Sequence, residues 1–293
     1  MNHSSKNQSD SALPVCVVLA GGLARRMGGG AKGLLPLGGK PILDHIITRL
    51  QPQCARIVLN VNGLTKGFER FGLPIIADTI PDHAGPLAGI LAALDWMAET
   101  HPDSTTLLSV ATDTPFVPDD LVAKLDAARS EAGTALACAC SNGRIHPPFS
   151  LWPVRVRDAL RTALLQDKER KMETVMTRLG YAVARWDTQP IDPFFNINTP
   201  DDLLAAEAML AKDTPRHILD LKGLKCPLPA LRTAKALTRL EVGVELEIIC
   251  TDPMAQIDIP HLVQTEGHNL VSQRLEAECC IFVIRKGQDT VSR

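Results

Sequence analysis

Residues 15–41 read VCVVLAGGLARRMGGGAKGLLPLGGKP. A short apolar, β-branched run, Val15 to Ala20, stops at Gly21-Gly22. That composition marks a buried strand feeding a glycine turn. Many glycines follow, and among them the cations Arg25, Arg26 and Lys32. Glycines let the backbone approach a ligand and aim several N–H groups at an anion. Nearby cations complete a phosphate cradle. Two familiar phosphate patterns do not apply. Gly28, Gly30 and Gly33 match G-x-G-x-x-G only formally, since the match does not follow the strand directly and Pro36 interrupts the helix it requires. Gly39-Lys40 is followed by Pro41 instead of Ser or Thr, which excludes a Walker A loop.

Outward from this stretch, strand and helix patterns alternate. A helix is expected from about Pro41 to Leu50, strands at ARIVLNVN (55–62) and LPIIAD (73–78), and a helix at GPLAGILAALDWMAET (85–100), where Pro86 suits the first turn. TTLLSVATDTP (105–115) is a strand ending in acid. DDLVAKLDAARSE, GTALACAC and HPPFSLW continue the alternation, and a last helix spans about Asp201 to Lys212, with Thr199 or Pro200 at its start. Such alternation predicts a parallel, three-layer α/β sheet. Ligands bind beyond the carboxyl ends of its strands, where Gly21, Gly22, Asn60, Asp78 and Asp113 fall.

After a linker at 212–216 a second pattern begins: β-α-β-α-β-β over 217–287, a small two-layer sandwich with both helices on one sheet face. The division is therefore a disordered start at 1–13, a first domain at 14–211, the linker, the small domain, and a tail at 288–293. The chain has 293 residues, 45% hydrophobic and 22% charged, with net charge −2. This is the balance of a globular protein, with no general attraction to nucleic acid or anionic lipid. The polar first residues lack the apolar core of a secretion signal, and no stretch is long and apolar enough to span a bilayer, so a cytosolic location is expected. The eight cysteines show no CxxC spacing, which argues against structural zinc and for reduced thiols. Cys16, Cys138 and Cys250 lie in apolar runs and are expected in cores.

Cys226 is different. In LKCPLPALRTAKAL (224–237) it precedes Pro227, which suits a first helical turn. At or beside the N-cap, a thiol faces the positive end of the helix. Lys222, Lys225 and Arg232 are near in sequence, so its pKa is expected to fall. No base or partner cysteine sits close in sequence. A group that carries sulfur as a persulfide needs only the one thiol.

The first-domain motifs, LAGGLARRMGGGAKGLLPLGGKP with VLNVN, IIADTI, GPLAGILAAL, ATDTPFVP and FFNINTPDDL, resemble the molybdenum cofactor guanylyltransferases of MobA type. The resemblance runs in order from residue 15 to about 210. It implies a Rossmann-like nucleotidyltransferase fold that moves GMP from GTP to the terminal phosphate of molybdopterin and releases pyrophosphate. It also implies roles: Leu19, Ala20, Gly21 and Gly22 laid against the nucleotide, Arg26 and Lys32 facing the triphosphate, Asn60 and Asp78 contacting the nucleotide, and Asp113 holding Mg²⁺ between phosphate oxygens. Asn196 and Asn198 are further metal or supporting candidates. Each has a plainer reading: Asp113 as a turn former, Asn60 and Asp78 as backbone partners at strand ends, Arg25 as a solvated charge.

The family's Asp-Lys-Gly is here Ala31-Lys32-Gly33, one carboxylate fewer. A related family transfers CMP to the same cofactor from an LAAG start, whereas Gly21-Gly22 resembles the GTP branch. His146-Pro147 and the charged run DKERKMET are candidates for the anionic pterin phosphate or another subunit, against a plainer solvated face.

From about His217 to Lys286 the chain resembles the TusA/SirA sulfur carriers, with their CPxP cysteine at Cys226 and a shared TDP turn at Asp252, read as a cap. The resemblance implies a cysteine desulfurase or other sulfur-transfer protein as partner, and a molybdoenzyme or its chaperone as recipient of the product. No nucleic acid or membrane is implied. The alternatives are a cofactor-binding sulfur-delivery scaffold with weak transferase activity, and a CMP-transferring relative.

Overall fold

In the computed structural model, residues 13–21, 30–63, 65–80, 85–213, 217–276 and 278–287 are described. Gly22, Arg25 and Arg26 of the glycine stretch lie outside them, as do the expected disordered start (through residue 12), residues 214–216 of the linker and the tail at 288–293. The chain divides into two compact units, residues 1–207 and 208–293.

In the first unit, β1 (Val15–Leu19), β4 (Arg56–Asn60), β5 (Ile75–Ile76), β6 (Thr106–Ala111), β7 (Leu136–Ser141), β8 (Arg144–Pro153) and β9 (Tyr181–Trp186) form one sheet in the order β5-β4-β1-β6-β8-β7-β9. A short ribbon, β2 (Pro36–Leu37) and β3 (Lys40–Pro41), precedes α1 (Ile42–Leu50). The remaining helices are α2 (Pro86–Thr100), α3 (Leu121–Ala132), α4 (Arg157–Leu165), α5 (Met172–Leu179) and α6 (Pro200–Asp213). Because α6 runs to Asp213, residues 212 and 213 of the expected linker are helical.

β1 is central, and parallel pairing with β4 and β6 satisfies its backbone on both sides. Successive side chains alternate faces. Val15 and Val17 join a core with Leu87, Ile90, Leu91 and Leu94 of α2, while Cys16 and Val18, of the opposite parity, are equally buried. A strand covered on both faces reads as a near-continuous apolar run, as VCVVL does.

The sheet is not wholly parallel, as the alternation predicted. β8 runs antiparallel to both β6 and β7. The cause is the Asn142-Gly143 turn between β7 and β8, where both residues have positive φ, 47° and 74°. This two-residue geometry is the one that folds a chain back as a hairpin.

β8 also carries a bulge. Cys138 is opposite Ser150 and the next residue, Ala139, is opposite His146, so Pro147, Pro148 and Phe149 are extra. Hydroxyls hold it: Ser150 Oγ donates to the Pro147 carbonyl (2.8 Å), and Ser109 Oγ donates to that of Pro148 (2.7 Å) while accepting from Trp152 Nε1 (2.9 Å).

The second unit follows the expected order: β10 (His217–Leu221), α7 (Leu228–Leu237), β11 (Glu245–Cys250), α8 (Ala255–Thr265), β12 (Asn269–Glu276) and β13 (Cys279–Arg285). The sheet order is β10-β11-β13-β12, parallel only between β10 and β11. Leu246, Ile248 and Cys250 of β11 and Cys280, Phe282 and Ile284 of β13 pack with Leu237 of α7 and Ile259 and Val263 of α8 in one core. The two helices thus share one sheet face. Cys16, Cys138 and Cys250 are buried as expected, and Cys226 is exposed.

Ser109→Ala leaves both the Trp152 indole N–H and the Pro148 carbonyl without this partner in a buried site. Each unmade bond costs on the order of 1–3 kcal/mol, so the first unit is expected to lose about 2–6 kcal/mol. Tryptophan fluorescence during urea unfolding measures it directly, because all three tryptophans (Trp96, Trp152 and Trp186) lie in that unit.

Candidate active site and the exposed cysteine

Beyond the carboxyl ends of β1, β4 and β6 lies a cavity of about 780 Å³. It brings together Leu19, Gly21, Lys32, Asn60, Asp78 and Asp113, residues up to 94 positions apart singled out from sequence. Ala20 does not line it. Its N–H is committed to the Asn60 carbonyl (2.8 Å) and its side chain is 4% exposed.

Lys32 opens a 3-10 turn, Lys32–Leu34, and its ammonium lies 3.3 Å from Asp113 Oδ2 and 2.6 Å from Asn198 Oδ1. Both side chains of the ion pair are mostly screened, 15% and 23% exposed. Asp113 follows β6 on a turn stitched to the segment before α6: the Ile197 N–H donates to the Asp113 carbonyl (2.8 Å), and Thr114 Oγ1 donates to Asn196 Oδ1 (2.8 Å). That segment is fixed in turn by a reciprocal cap on α6. Asp202 accepts from the N–H groups of Asn198 and Thr199, and Thr199 Oγ1 accepts from the Asp202 N–H. The Asn198 N–H foremost holds the Asp202 carboxyl below its usual range.

On the other side, Asp78 is locked. Oδ1 accepts from Asn60 Nδ2 (2.9 Å), Oδ2 from Asn62 Nδ2 (2.7 Å), and the Asp78 N–H donates to Asn62 Oδ1 (2.9 Å). Gly89 of α2 is the residue behind Asn60, and a Cβ there would overlap Asn60 Oδ1 and Leu19 Cδ2.

Cys226 stands just before the N-cap of α7, Pro227. Asp252 accepts from the Cys226 N–H and, through Oδ1, from the Met254 N–H (3.0 Å), so one carboxylate ties the starts of α7 and α8. Asp252 is the N-cap of neither helix, those being Pro227 and Met254, so it braces the approaches instead of capping. The expected fall in the Cys226 pKa does not occur. The thiol is pushed up, first by its hydrogen bond to Asp258, then by desolvation and by the charges of Asp258 and Asp252. The physical reason is location. Lys222, four residues before Cys226, pairs with Asp220 (3.7 Å), whereas the carboxylate facing the sulfur belongs to α8.

A family model described as MobA-like NTP transferase domain matches residues 16–183, and one described as Sulfurtransferase TusA matches residues 217–286. A molybdenum cofactor guanylyltransferase of Rhodopseudomonas palustris (strain BisB5) is 47% identical over 206 residues, 70% of this chain and 98% of that protein. The chain belongs to the MobA-like NTP transferase family.

A guanylyltransferase of the same name from Bradyrhizobium sp. (strain ORS 278) is 49% identical over 197 residues, 67% of this chain and 93% of the relative. Among solved structures, the molybdopterin-guanine dinucleotide biosynthesis protein A of Archaeoglobus fulgidus superposes with a TM-score of 0.53 at 26% identity, covering 68% of this chain and 99% of that one. The match takes up 98% of the Rhodopseudomonas protein, which leaves it no room for a counterpart of the TusA unit.

The MobA-like cavity has lining residues that sequence reasoning missed. Asn62 shares the parity of Asn60 just past β4, and that spacing is the signal that would have found it. Arg144 and Phe149 line the opposite wall with His146 and Pro147, because the hairpin and bulge of β8 turn this stretch inward. Among the described residues, no three His, Cys, Asp or Glu side chains cluster as a metal cage. The cavity offers two carboxylates, Asp78 and Asp113, which suits a hard cation that takes its remaining oxygens from phosphates and water.

Two outcomes are expected. Gly89→Ala displaces Asn60 and so unlocks Asp78. Nucleoside triphosphate binding, followed by titration calorimetry, should weaken roughly tenfold, about 1.4 kcal/mol, with the fold kept. Rates of iodoacetamide alkylation across pH should place the Cys226 thiol above an ordinary cysteine, and Asp258→Asn should bring it down. An unchanged titration in that variant would rule out Asp258 as the cause.

Proposed function

We propose that the first unit transfers GMP from GTP to molybdopterin with release of pyrophosphate, and that the second carries sulfur as a persulfide on Cys226. The observation that carries the first part is the meeting of Lys32, Asp113 and Asn198 at the cavity that also holds Asp78. An oxygen of the acceptor phosphate attacks the α-phosphorus in line, and the bond to the bridging oxygen of pyrophosphate breaks. The protein's part is to position the reactants and neutralise charge. Lys32 faces the triphosphate, with Arg26 as a second cation from the glycine stretch. Leu19 and Gly21 form the floor of the nucleotide site with Ala20 behind them, and Asn60 and Asp78 hold the nucleoside. Asp113 would hold Mg²⁺, which supplies Lewis-acid stabilisation of charge on the phosphate oxygens when bound.

Ala31 in place of the family aspartate does not leave Lys32 unoriented, because Asp113 and Asn198 grip it from two other segments. This favours a working transferase over a scaffold. The guanylyltransferase names of relatives 47% and 49% identical favour GTP over CTP.

In the second unit, the exposed Cys226 thiol attacks the outer sulfur of a donor persulfide. A Cys226 persulfide forms, and the donor leaves as a thiol after taking up the proton. A cysteine desulfurase or another sulfur-transfer protein is the donor, and a molybdoenzyme or its chaperone receives the finished product.

The test supplies molybdopterin, Mg²⁺ and either GTP or CTP, and follows pyrophosphate. Release with GTP is expected, lower by about 100-fold or more in Asp113→Ala. Absence of release with GTP, or a preference for CTP, overturns the reading. In the same preparation, incubation with a desulfurase and cysteine should label the wild type and leave Cys226→Ala unlabelled.

A further inference from the structure

The cavity has two walls, and the roles above use only one of them with its floor. The second wall is β8 from Arg144 to Phe149. Arg144 is exposed at the exit of the Asn142-Gly143 turn and makes no ion pair among the described residues. Lys32, the other cation on the lining, is already held by Asp113. Beside Arg144, the His146 ring is fixed on two sides: Nε2 is 2.8 Å from Ser141 Oγ, and the ring stacks on Phe194 at 4.6 Å and 21°. Phe194 is itself buried and gripped edge-on by Phe149 and Trp186. Burial foremost lowers the His146 pKa, and Arg144 adds to this against Asp192, so the imidazole is neutral near pH 7.

A nucleotidyl transfer to a phosphate must hold two anions in one cavity that already contains two carboxylates. Their repulsion calls for a further cation apart from those serving the triphosphate. We propose that Arg144 and His146 seat the terminal phosphate of the acceptor, Arg144 as the charge and His146 as a hydrogen-bonding partner, with the Pro147–Phe149 bulge as the apolar wall beside the acceptor's body. This rests on the transferase reading. In the transfer, an oxygen of the seated phosphate bonds to the α-phosphorus, and pyrophosphate departs with the electron pair of the broken bond. No further reactant is needed.

The test is a pair of equilibrium titrations, molybdopterin and GTP separately, on the wild type, Arg144→Gln and Arg144→Lys, with circular dichroism to confirm the fold. Arg144→Gln is expected to weaken molybdopterin binding by roughly tenfold or more while GTP binding stays within about twofold, and Arg144→Lys should fall between. Unchanged molybdopterin affinity in Arg144→Gln, equal loss of GTP binding, or a wild type that binds no molybdopterin overturns the seat. A wild type that binds molybdopterin through Arg144 yet releases no pyrophosphate leaves the seat standing and removes the transferase reading.

Discussion

One ammonium group collects the first unit's chemistry. Lys32 leaves the glycine stretch and meets Asp113 from the end of β6 and Asn198 from the approach to α6, partners 81 and 166 residues away. An ion pair this screened from water is costly to break on one side, because the remaining charge then lacks its partner. The seam between Ile197 and Asp113 and the reciprocal cap on α6 hold the approach to α6 in place. The cavity is therefore a tertiary product: no two of its polar contributors to Lys32 are neighbours in the chain.

Much of this was legible in the sequence where chemistry is local. The run at Val15–Leu19 has to be a doubly covered strand, and the glycines after it have to be a turn. The β-α-β-α-β-β order of the second unit follows from its apolar periods. The direction of β8 was not drawn from the alternation of patterns, although Asn142-Gly143 is a strong local signal for a reversal. A strand between two others reads the same in either direction; only its turn tells which. The Cys226 error has another source. Sequence neighbours Lys222, Lys225 and Arg232 suggested a positive setting, but Asp258 is supplied by a helix that begins 29 residues later. Side-chain electrostatics is decided by packing partners, and those are long-range.

The same carboxylate chemistry appears in both units with opposite effect. Asp113 is matched by the Lys32 ammonium and Asp78 by the amide N–H groups of Asn60 and Asn62. Asp258 instead faces a thiol and keeps the proton on it. A sulfur carrier that must not react with every oxidant or alkylating agent benefits from a thiol at rest as S–H, since the thiolate is the reactive form. The second unit's cysteine is thus exposed, with its thiol pushed up by Asp258.

The β8 bulge has a consequence for the permanence of the cavity. β6 and β8 are paired from Thr106–Pro153 to Ser109–Ser150, and there the ladder stops. The next two residues of β8 toward the cavity beyond Phe149 are Pro148 and Pro147, which have no amide hydrogen, and their carbonyls are already taken by serine hydroxyls. The two strands cannot zip further, whatever the ligand state. The opening between them is thus written into covalent structure, as a zipper is stopped by teeth that were never cut.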